Sequence, residues 1–501
     1  MISYISPLLE IVINFTESVC PLKYNGKRWK MEKNKRLLIK ALLNIPLLYF
    51  SASNHTARAV IKNSLSSSDC IYPEDFGAKG NGIDDDSSAI NLCFLHASRT
   101  NKYVCFKKSS QYLWQKKITI IGTIRVLASG ATIISDSNFL EVIDGPDSIW
   151  TGGYLKTNTM PYTVVYSNDW EIKEKGFLGY GRMPFDNESS RLESEYINQL
   201  IGSALVFKSS NNKPVNGVVI KDVKTNYGNI IIAGYDNIVI DSCSIKGGAH
   251  MGGVSIFNGT RDPLLWGYKN RINPYEFSKG SGHKISNCKF YQCRNNGLFI
   301  SGSDSVTIEN CEFIDNGESG LKTGQYVKRS WTNTNCCCSN FRIINCFASG
   351  QGYDGFDLQN AFGSGEFVHI PANILISDCR SINNRRTGFI SQGGNNFFID
   401  CSASNNGSHG IVSKYSRNVR MLRCKAINNA QLFNAIELGL LGPDCIMEKC
   451  SVIHNKGNGK YFLIKHLVDD ESIKRKSGYS IKNKVSDFKK CDIDRRVIII
   501  S

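Results

Sequence analysis

Asn287-Cys288-Lys289-Phe290-Tyr291, leading on to Gly297-Leu298, is repeated 23 residues later as Asn310-Cys311-Glu312-Phe313-Ile314, leading to Gly320-Leu321. The same pattern recurs at Asn345-Cys346, Asp378-Cys379, Asp400-Cys401, Arg423-Cys424 and Lys449-Cys450, and Ser242-Cys243 fits upstream. The steps from Cys288 onward are 23, 35, 33, 22, 23 and 26 residues. Each Cys follows a short β-branched run, such as Val306-Thr307-Ile308, and precedes a small residue and an apolar strand. One such unit cannot bury its own apolar face. Stacked units can, with strands pairing about 4.8 Å apart, so the period predicts a parallel β-helix.

In this reading the repeated Cys is a column of small interior side chains. Metal sites group their cysteines within a few residues, and neither metal nor disulfide chemistry requires this period, so packing is the preferred role. The pairs Asn295-Asn296, Asn383-Asn384, Asn405-Asn406 and Asn428-Asn429 read as corners that stack as a second column. The long steps place insertions at roughly 258–282, 325–340 and 360–373, all leaving the same end of the same strand. They should wall a groove, and they carry Tyr326, Arg329 and Trp331.

Lys plus Arg is 60 and Asp plus Glu is 44, a net charge of +16. A basic chain favours a polyanion. No zinc-finger spacing, RNA-binding signature or basic helix with interleaved aromatics is present, which argues against nucleic acid. Residues 1–59 read as a targeting segment. A start at Met31 opens on the basic run Met31-Glu32-Lys33-Asn34-Lys35-Arg36, passes through an apolar stretch and reaches Ala57-Arg58-Ala59, a small-x-small cleavage form. The stretch Asn34-Lys35-Arg36-Leu37-Leu38 resembles a twin-arginine signal, which predicts a periplasmic or secreted protein. No segment is long and apolar enough to be expected to span a membrane as a helix. The β-helix is expected over 70–455, with a basic tail over 456–501.

Ahead of the repeats lies Asp75-Phe76-Gly77-Ala78-Lys79-Gly80-Asn81-Gly82-Ile83-Asp84-Asp85-Asp86-Ser87, followed by a helical pattern through Leu92, Cys93, Leu95 and His96. This resembles the N-terminal signature of the pectate-lyase superfamily, which includes polygalacturonase-like hydrolases, mannuronan epimerases and phage tailspike depolymerases. The resemblance implies an all-β, single-stranded right-handed parallel β-helix with an N-terminal capping helix, capped here by Asp86 or Ser87. Gly352-Tyr353-Asp354-Gly355-Phe356-Asp357-Leu358-Gln359 and Asn405-Asn406-Gly407-Ser408-His409-Gly410 are similar to two segments of the mannuronan epimerases. By that likeness Asp357 and His409 fall on functional positions, whereas Gln359 stands where the family has a catalytic His.

Strand periodicity places side chains without the family. The residue after Gly points inward. The next points outward, in a column of Phe299, Lys322, Asp357, Ile390, Val412 and Glu437. The residue before Gly forms the column Asn296, Ser319, Asp354, Thr387, His409. Lys322, Asp354, Asp357 and His409 are thus the candidate catalytic residues, and Gln359, Tyr326, Arg329, Trp331, Lys414 and Glu437 the candidate substrate contacts. In a lyase or epimerase, Lys322 would neutralise a uronate carboxylate and His409 would move the proton. In a glycosidase, Asp354 and Asp357 would be the carboxyl pair. No metal cluster is evident, although the Asp pair could hold Ca2+. Two readings stand: an exported enzyme that cleaves or epimerises an acidic polysaccharide, and a non-catalytic glycan-binding or surface-attachment β-helix. A phage-type tailspike is a third, for which the short basic tail shows no trimer-forming heptads.

Overall fold

The computed structural model describes residues 69–135, 138–157, 204–211, 213–248, 252–258, 279–324, 338–358, 372–414, 418–432, 438–441 and 446–453, and a few short strands beyond. Among them the predicted architecture is present. Three parallel sheets of 15, 14 and 13 strands wrap one interior, and each coil visits the first, second and third sheet in turn. Consecutive coils pair in register. Leu298, Leu321, Phe356, Phe389, Ile411 and Leu438 form one inward column, and all six are buried. Rings stack along this interior, Phe290 on Phe313 at 5.2 Å and Phe356 on Phe389 at 4.7 Å. The sheets run past residue 455: Ile464–His466, Asp487–Lys489, Asp492–Ile493 and Ile499–Ile500 add strands to them within the segment read as a tail.

The corner between the first and second sheets explains the repeated dipeptide. The residue before each Cys has a positive φ, 55° at Asn287 and Asn310, 51° at Asn345 and 56° at Asp378. Asn and Asp tolerate this conformation best. The following Cys turns inward and is buried at 243, 288, 311, 346, 379, 401, 424 and 450. The column is packing, as its spacing predicts. The one disulfide among the described residues, Cys70–Cys105, is elsewhere, with Cα atoms 5.6 Å apart.

The corner between the second and third sheets carries a buried amide ladder. Asn316 Nδ2 donates to Gln351 Oε1 (2.9 Å), Asn384 Nδ2 to Asn406 Oδ1 (2.9 Å) and Asn406 Nδ2 to Asn429 Oδ1 (2.7 Å), while Asn384 Oδ1 accepts from the Gln351 backbone (3.0 Å). The first residue of each Asn pair takes the positive φ: Asn383, Asn405 and Asn428. Asn295-Asn296 is the exception. In that coil Gln292 takes the positive φ and Cys293 the ladder position, its N–H donating to Asn316 Oδ1. The pair therefore lies past the corner, beside Glu318 and Ser319. Asn406→Ala would leave buried partners unsatisfied on both sides. It is expected to lower the unfolding free energy by about 3 kcal/mol, read from urea midpoints.

The helix Ser87–Thr100 buries Ile90, Cys93, Phe94 and Ala97, with Phe94 against Trp114 at 5.8 Å. Neither expected residue caps it by its side chain. The Asp86 carboxylate accepts from the Lys79 and Gly80 backbones (2.6 and 3.2 Å), and the Ser87 hydroxyl accepts from Gln115 and Lys116 (2.8 and 3.0 Å). Asp85 Oδ1 takes the Ser87 N–H instead, at 3.0 Å. These bonds tie the helix start to the neighbouring loops.

His283 is wholly buried; its Nδ1 accepts from the Ile238 N–H at 3.4 Å, and its Nε2 lies 3.1 Å from Asn258 Nδ2. Burial pushes its pKa down to about 3 from an ordinary 6.5. The folded pKa lies below the unfolded one, so the stability is fully present above pH 6.5 and is lost as pH falls toward 3. The expected slope from this group is about 1.4 kcal/mol per pH unit in that window. Denaturation at stepped pH should show the slope in the parent and a flatter one in His283→Gln.

Candidate functional site

The candidate residues sit where the amide-ladder corner passes into the third sheet. Each coil from Gln292 to Gly410 reads positive-φ residue, ladder residue, three variable residues, then Gly. Gly355 shows why the last is small: a Cβ there would lie 2.0 Å from Ser381 Oγ and 2.6 Å from the Gly388 carbonyl. The variable positions stack from coil to coil through backbone bonds. Asn295, Glu318, Tyr353, Arg386 and Ser408 form one column, and Ser319, Asp354, Thr387 and His409 run beside it. Past Gly, the outward column runs Phe299, Lys322, Asp357, Ile390, Val412.

Lys322 is the centre of the cluster. Its Nζ lies 2.5 Å from Glu318 Oε1 and 3.6 Å from Asp357 Oδ2. Its side chain is 17% exposed, that of Asp357 3% and that of Glu318 23%. Burial works against the ammonium, but Glu318, Asp357 and Asp354 outweigh it and hold the Lys322 pKa above the usual lysine range. Lys322 is therefore a fixed cation and not a base. Asn296 Nδ2 supports the other Glu318 oxygen at 3.3 Å.

Asp354 does not have the freedom that a glycosidase acid needs. It is fully buried and takes a two-point contact from Arg386, Nε to Oδ1 at 3.0 Å and Nη2 to Oδ2 at 2.6 Å, with the Thr387 N–H on Oδ1 at 2.8 Å. Asp354 is thus engaged by Arg386, and the carboxylate that shares Lys322 with Asp357 is that of Glu318. The Arg386 guanidinium also lies over the Tyr353 ring, 4.9 Å from its centroid. Burial disfavours its charge, yet Asp354 more than compensates and raises its pKa further. The cluster thus holds three carboxylates and two cations.

His409 keeps its expected column two coils from Asp354, roughly 10 Å by strand spacing, and is partly exposed. Val412 pairs with Gly439, so Glu437 does not belong to the Lys322–Asp357 column. Glu437 itself, Gln359, Tyr326, Arg329 and Trp331 lie outside the described residues, as do most of the three insertions. Lys414 ends the strand Ile411–Lys414, opposite Gln392. The strands that lead into the insertions, Gly252–Phe257, Leu321–Thr323 and Phe356–Leu358, do share the third sheet. The outward side of that sheet is covered along much of its length: Val206, Ile231, Phe299, Ile390 and Val412 are buried. Partial exposure is kept by the corner residues Glu318, Tyr353, Arg386 and His409 and by Lys322. The two aspartates weighed as Ca2+ ligands are engaged by cations, and no group of three His, Cys, Asp or Glu able to hold a metal occurs among the described residues. No helix of the described residues is long and apolar enough to cross a membrane.

Glu318, Tyr353 and Arg386 were missed by the sequence reading. The signal was present: the column rule, applied one position further from Gly, collects all three.

A family model described as a right-handed β-helix region matches residues 276–364 and 337–483. Depolymerase 1 of Klebsiella phage KN3-1, described as capsule KN3-specific, is 21% identical over 333 residues, 58% of this chain and 38% of that protein. The chain thus spans well under half of that relative's length. The siphovirus 9NA tailspike receptor-binding domain superposes with a TM-score of 0.59 at 12% identity, covering 87% of this chain and 76% of that one. The receptor-binding protein of bacteriophage Det7, a podoviral tailspike, gives 0.50 at 15% identity, covering 82% and 73%. These likenesses establish the fold.

Proposed function

We propose that this chain, a right-handed parallel β-helix of the pectate-lyase type, cleaves a surface polysaccharide by hydrolysis over Lys322, with Glu318 and Asp357 as the carboxyl pair. The observation that carries this reading is that two carboxylates from adjacent coils meet one fixed ammonium. Both touch Nζ, so those oxygens are at most about 6 Å apart, a bound that admits the retaining separation of about 5–5.5 Å and falls short of the inverting one. Asp357, nearly enclosed and facing the cation, suits the nucleophile: its carboxylate attacks the anomeric carbon. Glu318, the more exposed, suits the acid–base group, which protonates the departing oxygen and then deprotonates the incoming water.

Elimination or epimerisation asks for a cation free to take a uronate carboxylate. Lys322 is shared by two carboxylates and Arg386 is held by Asp354, so hydrolysis is placed first. A polysaccharide substrate is supported by the capsule specificity in the Klebsiella phage relative's name, and an acidic one by the +16 charge of the chain. Export is part of the proposal. The basic-apolar-small order from Met31 supports it, as does the Cys70–Cys105 bridge, since disulfides persist in oxidising compartments.

The test is incubation of the purified chain with alginate, polygalacturonate and bacterial capsules, following reducing ends and the ultraviolet absorbance of unsaturated uronates in parallel. Reducing ends without absorbance support hydrolysis. Absorbance overturns it in favour of elimination. Tight binding with neither signal makes the chain a glycan-binding β-helix, for which the fully paired charges of the cluster already speak.

A further inference from the structure

A second surface lies on the second sheet. Four successive strands there, Tyr154–Lys156, Lys224–Asn226, Ser244–Lys246 and Lys289–Tyr291, are neighbours in the stack. Their middle residues, Leu155, Thr225, Ile245 and Phe290, are buried, so the flanking residues face outward. The register aligns these in two columns. One reads Tyr154, Lys224, Ser244, Lys289; the other reads Lys156, Asn226, Lys246, Tyr291.

Each of the four strands therefore contributes one lysine, alternating between columns: Lys156, Lys224, Lys246, Lys289. At about 4.8 Å per strand the run is roughly 14 Å long and follows the helix axis. Lys224 and Lys289 are exposed and the other two partly so. None of Lys156, Lys224 and Lys246 has an ion pair to a described residue. Lys289 meets Glu312 at 3.4 Å on the next strand, where the run ends. The first sheet differs: its Lys221 and Lys284 are matched by Asp241 and Glu309, at 3.9 and 2.6 Å. Four like charges on a flat sheet face repel one another, and of the four only Lys289 has an acidic partner among the described residues.

We propose that this face binds a carboxylate-bearing polysaccharide lying along the helix axis, away from the sheet that carries Lys322. One cation per strand gives a charge repeat of the order set by a polymer with one carboxylate per sugar ring. A nucleic acid fits less well. Duplex DNA carries a charge about every 1.7 Å, and single strands need open aromatic faces for base stacking. The Tyr291 ring has Lys289 over it at 5.6 Å. The Tyr227 ring lies against Gly247, where an added Cβ would fall 2.4 Å from it. Lys289 thus covers the Tyr291 ring and Gly247 the Tyr227 ring, so Tyr154 is the one exposed aromatic on these four strands, short of the succession of faces that base stacking needs. The inference stands on these charges alone and does not depend on the chemistry assigned to Glu318 and Asp357.

The test uses the full chain carrying Asp357→Asn, so that polymer is not consumed, and titrates polygalacturonate by calorimetry at two salt concentrations. Adding Lys156→Gln, Lys224→Gln and Lys246→Gln is expected to weaken binding at least tenfold at low salt and to flatten its salt dependence. Thermal unfolding reports whether this variant is folded; if it is not, the single exposed change Lys224→Glu takes its place, with a loss of several-fold expected. Unchanged affinity in the folded variant overturns the proposal. So does failure of the Asp357→Asn parent to bind polygalacturonate, or tighter binding of single-stranded DNA of matched charge. Because binding alone is read, absence of cleavage activity in the native chain would count against the hydrolase reading without touching this one.

Discussion

Asp357→Asn is expected to lower polysaccharide cleavage on the order of 10³-fold or more with little change in substrate binding, because it removes the proposed nucleophile and keeps its shape. Glu318→Gln should fall comparably on the natural polymer. The two should part on an aryl glycoside with a good leaving group. Departure then needs little protonation, so Glu318→Gln recovers much of its first-step rate while Asp357→Asn stays inactive. The geometry behind this is the shared contact with Lys322, 2.5 Å on the Glu318 side and 3.6 Å on the Asp357 side. Equal activity of Asp357→Asn and the parent on the polymer would remove Asp357 from the chemistry.

Arg386→Ala is expected to cost about 3–5 kcal/mol of unfolding free energy, since it strands the fully buried Asp354 carboxylate. Asp354→Ala should cost less. The guanidinium it leaves behind is 40% exposed at the side chain and can turn toward water. Asp354→Asn combined with Arg386→Ala should recover part of the loss, because no buried charge is left unpaired. Urea denaturation of the three variants measures the order. If Arg386→Ala proves as stable as the parent, the Asp354–Arg386 contact is not a structural pair, and Asp354 returns as a candidate for the chemistry.

Much of the fold was legible because its cause is local and repeated. A corner that needs a left-handed residue, followed by a small inward side chain, writes Asn-Cys or Asp-Cys into most of these coils and Ser-Cys, Arg-Cys or Lys-Cys into the rest. Period-two strands then assign the inward column from Leu298 to Ile411. Errors arose where a coil departs from the common spelling. Gln292-Cys293 replaces the usual Asn pair at one corner, and Gly439, not Glu437, follows Val412. A reading anchored on residue identity slips at such places, because backbone register follows hydrogen bonding and not spelling.

The site was legible in part. Lys322 and Asp357 were placed side by side by the column rule, and their contact is present. Glu318 was not foreseen because it reaches Lys322 from four residues earlier, out of the corner and not along the strand. Arg386 was not foreseen because it leaves its own column to grip Asp354 on the coil before. Nor did alternation reveal that Val206, Ile231, Phe299, Ile390 and Val412, all pointing outward, would be buried.

The sequence by itself determined the coil, its direction of stacking and which side chains enter the core, since each follows from backbone sterics and apolar burial repeated at a fixed period. Only the tertiary structure decided which charges meet. Long Glu, Lys and Arg side chains reach across coils, and their partners are chosen by distances of a few ångströms that no spacing along the chain encodes. That choice braces Asp354 with Arg386 and brings Glu318 to Lys322.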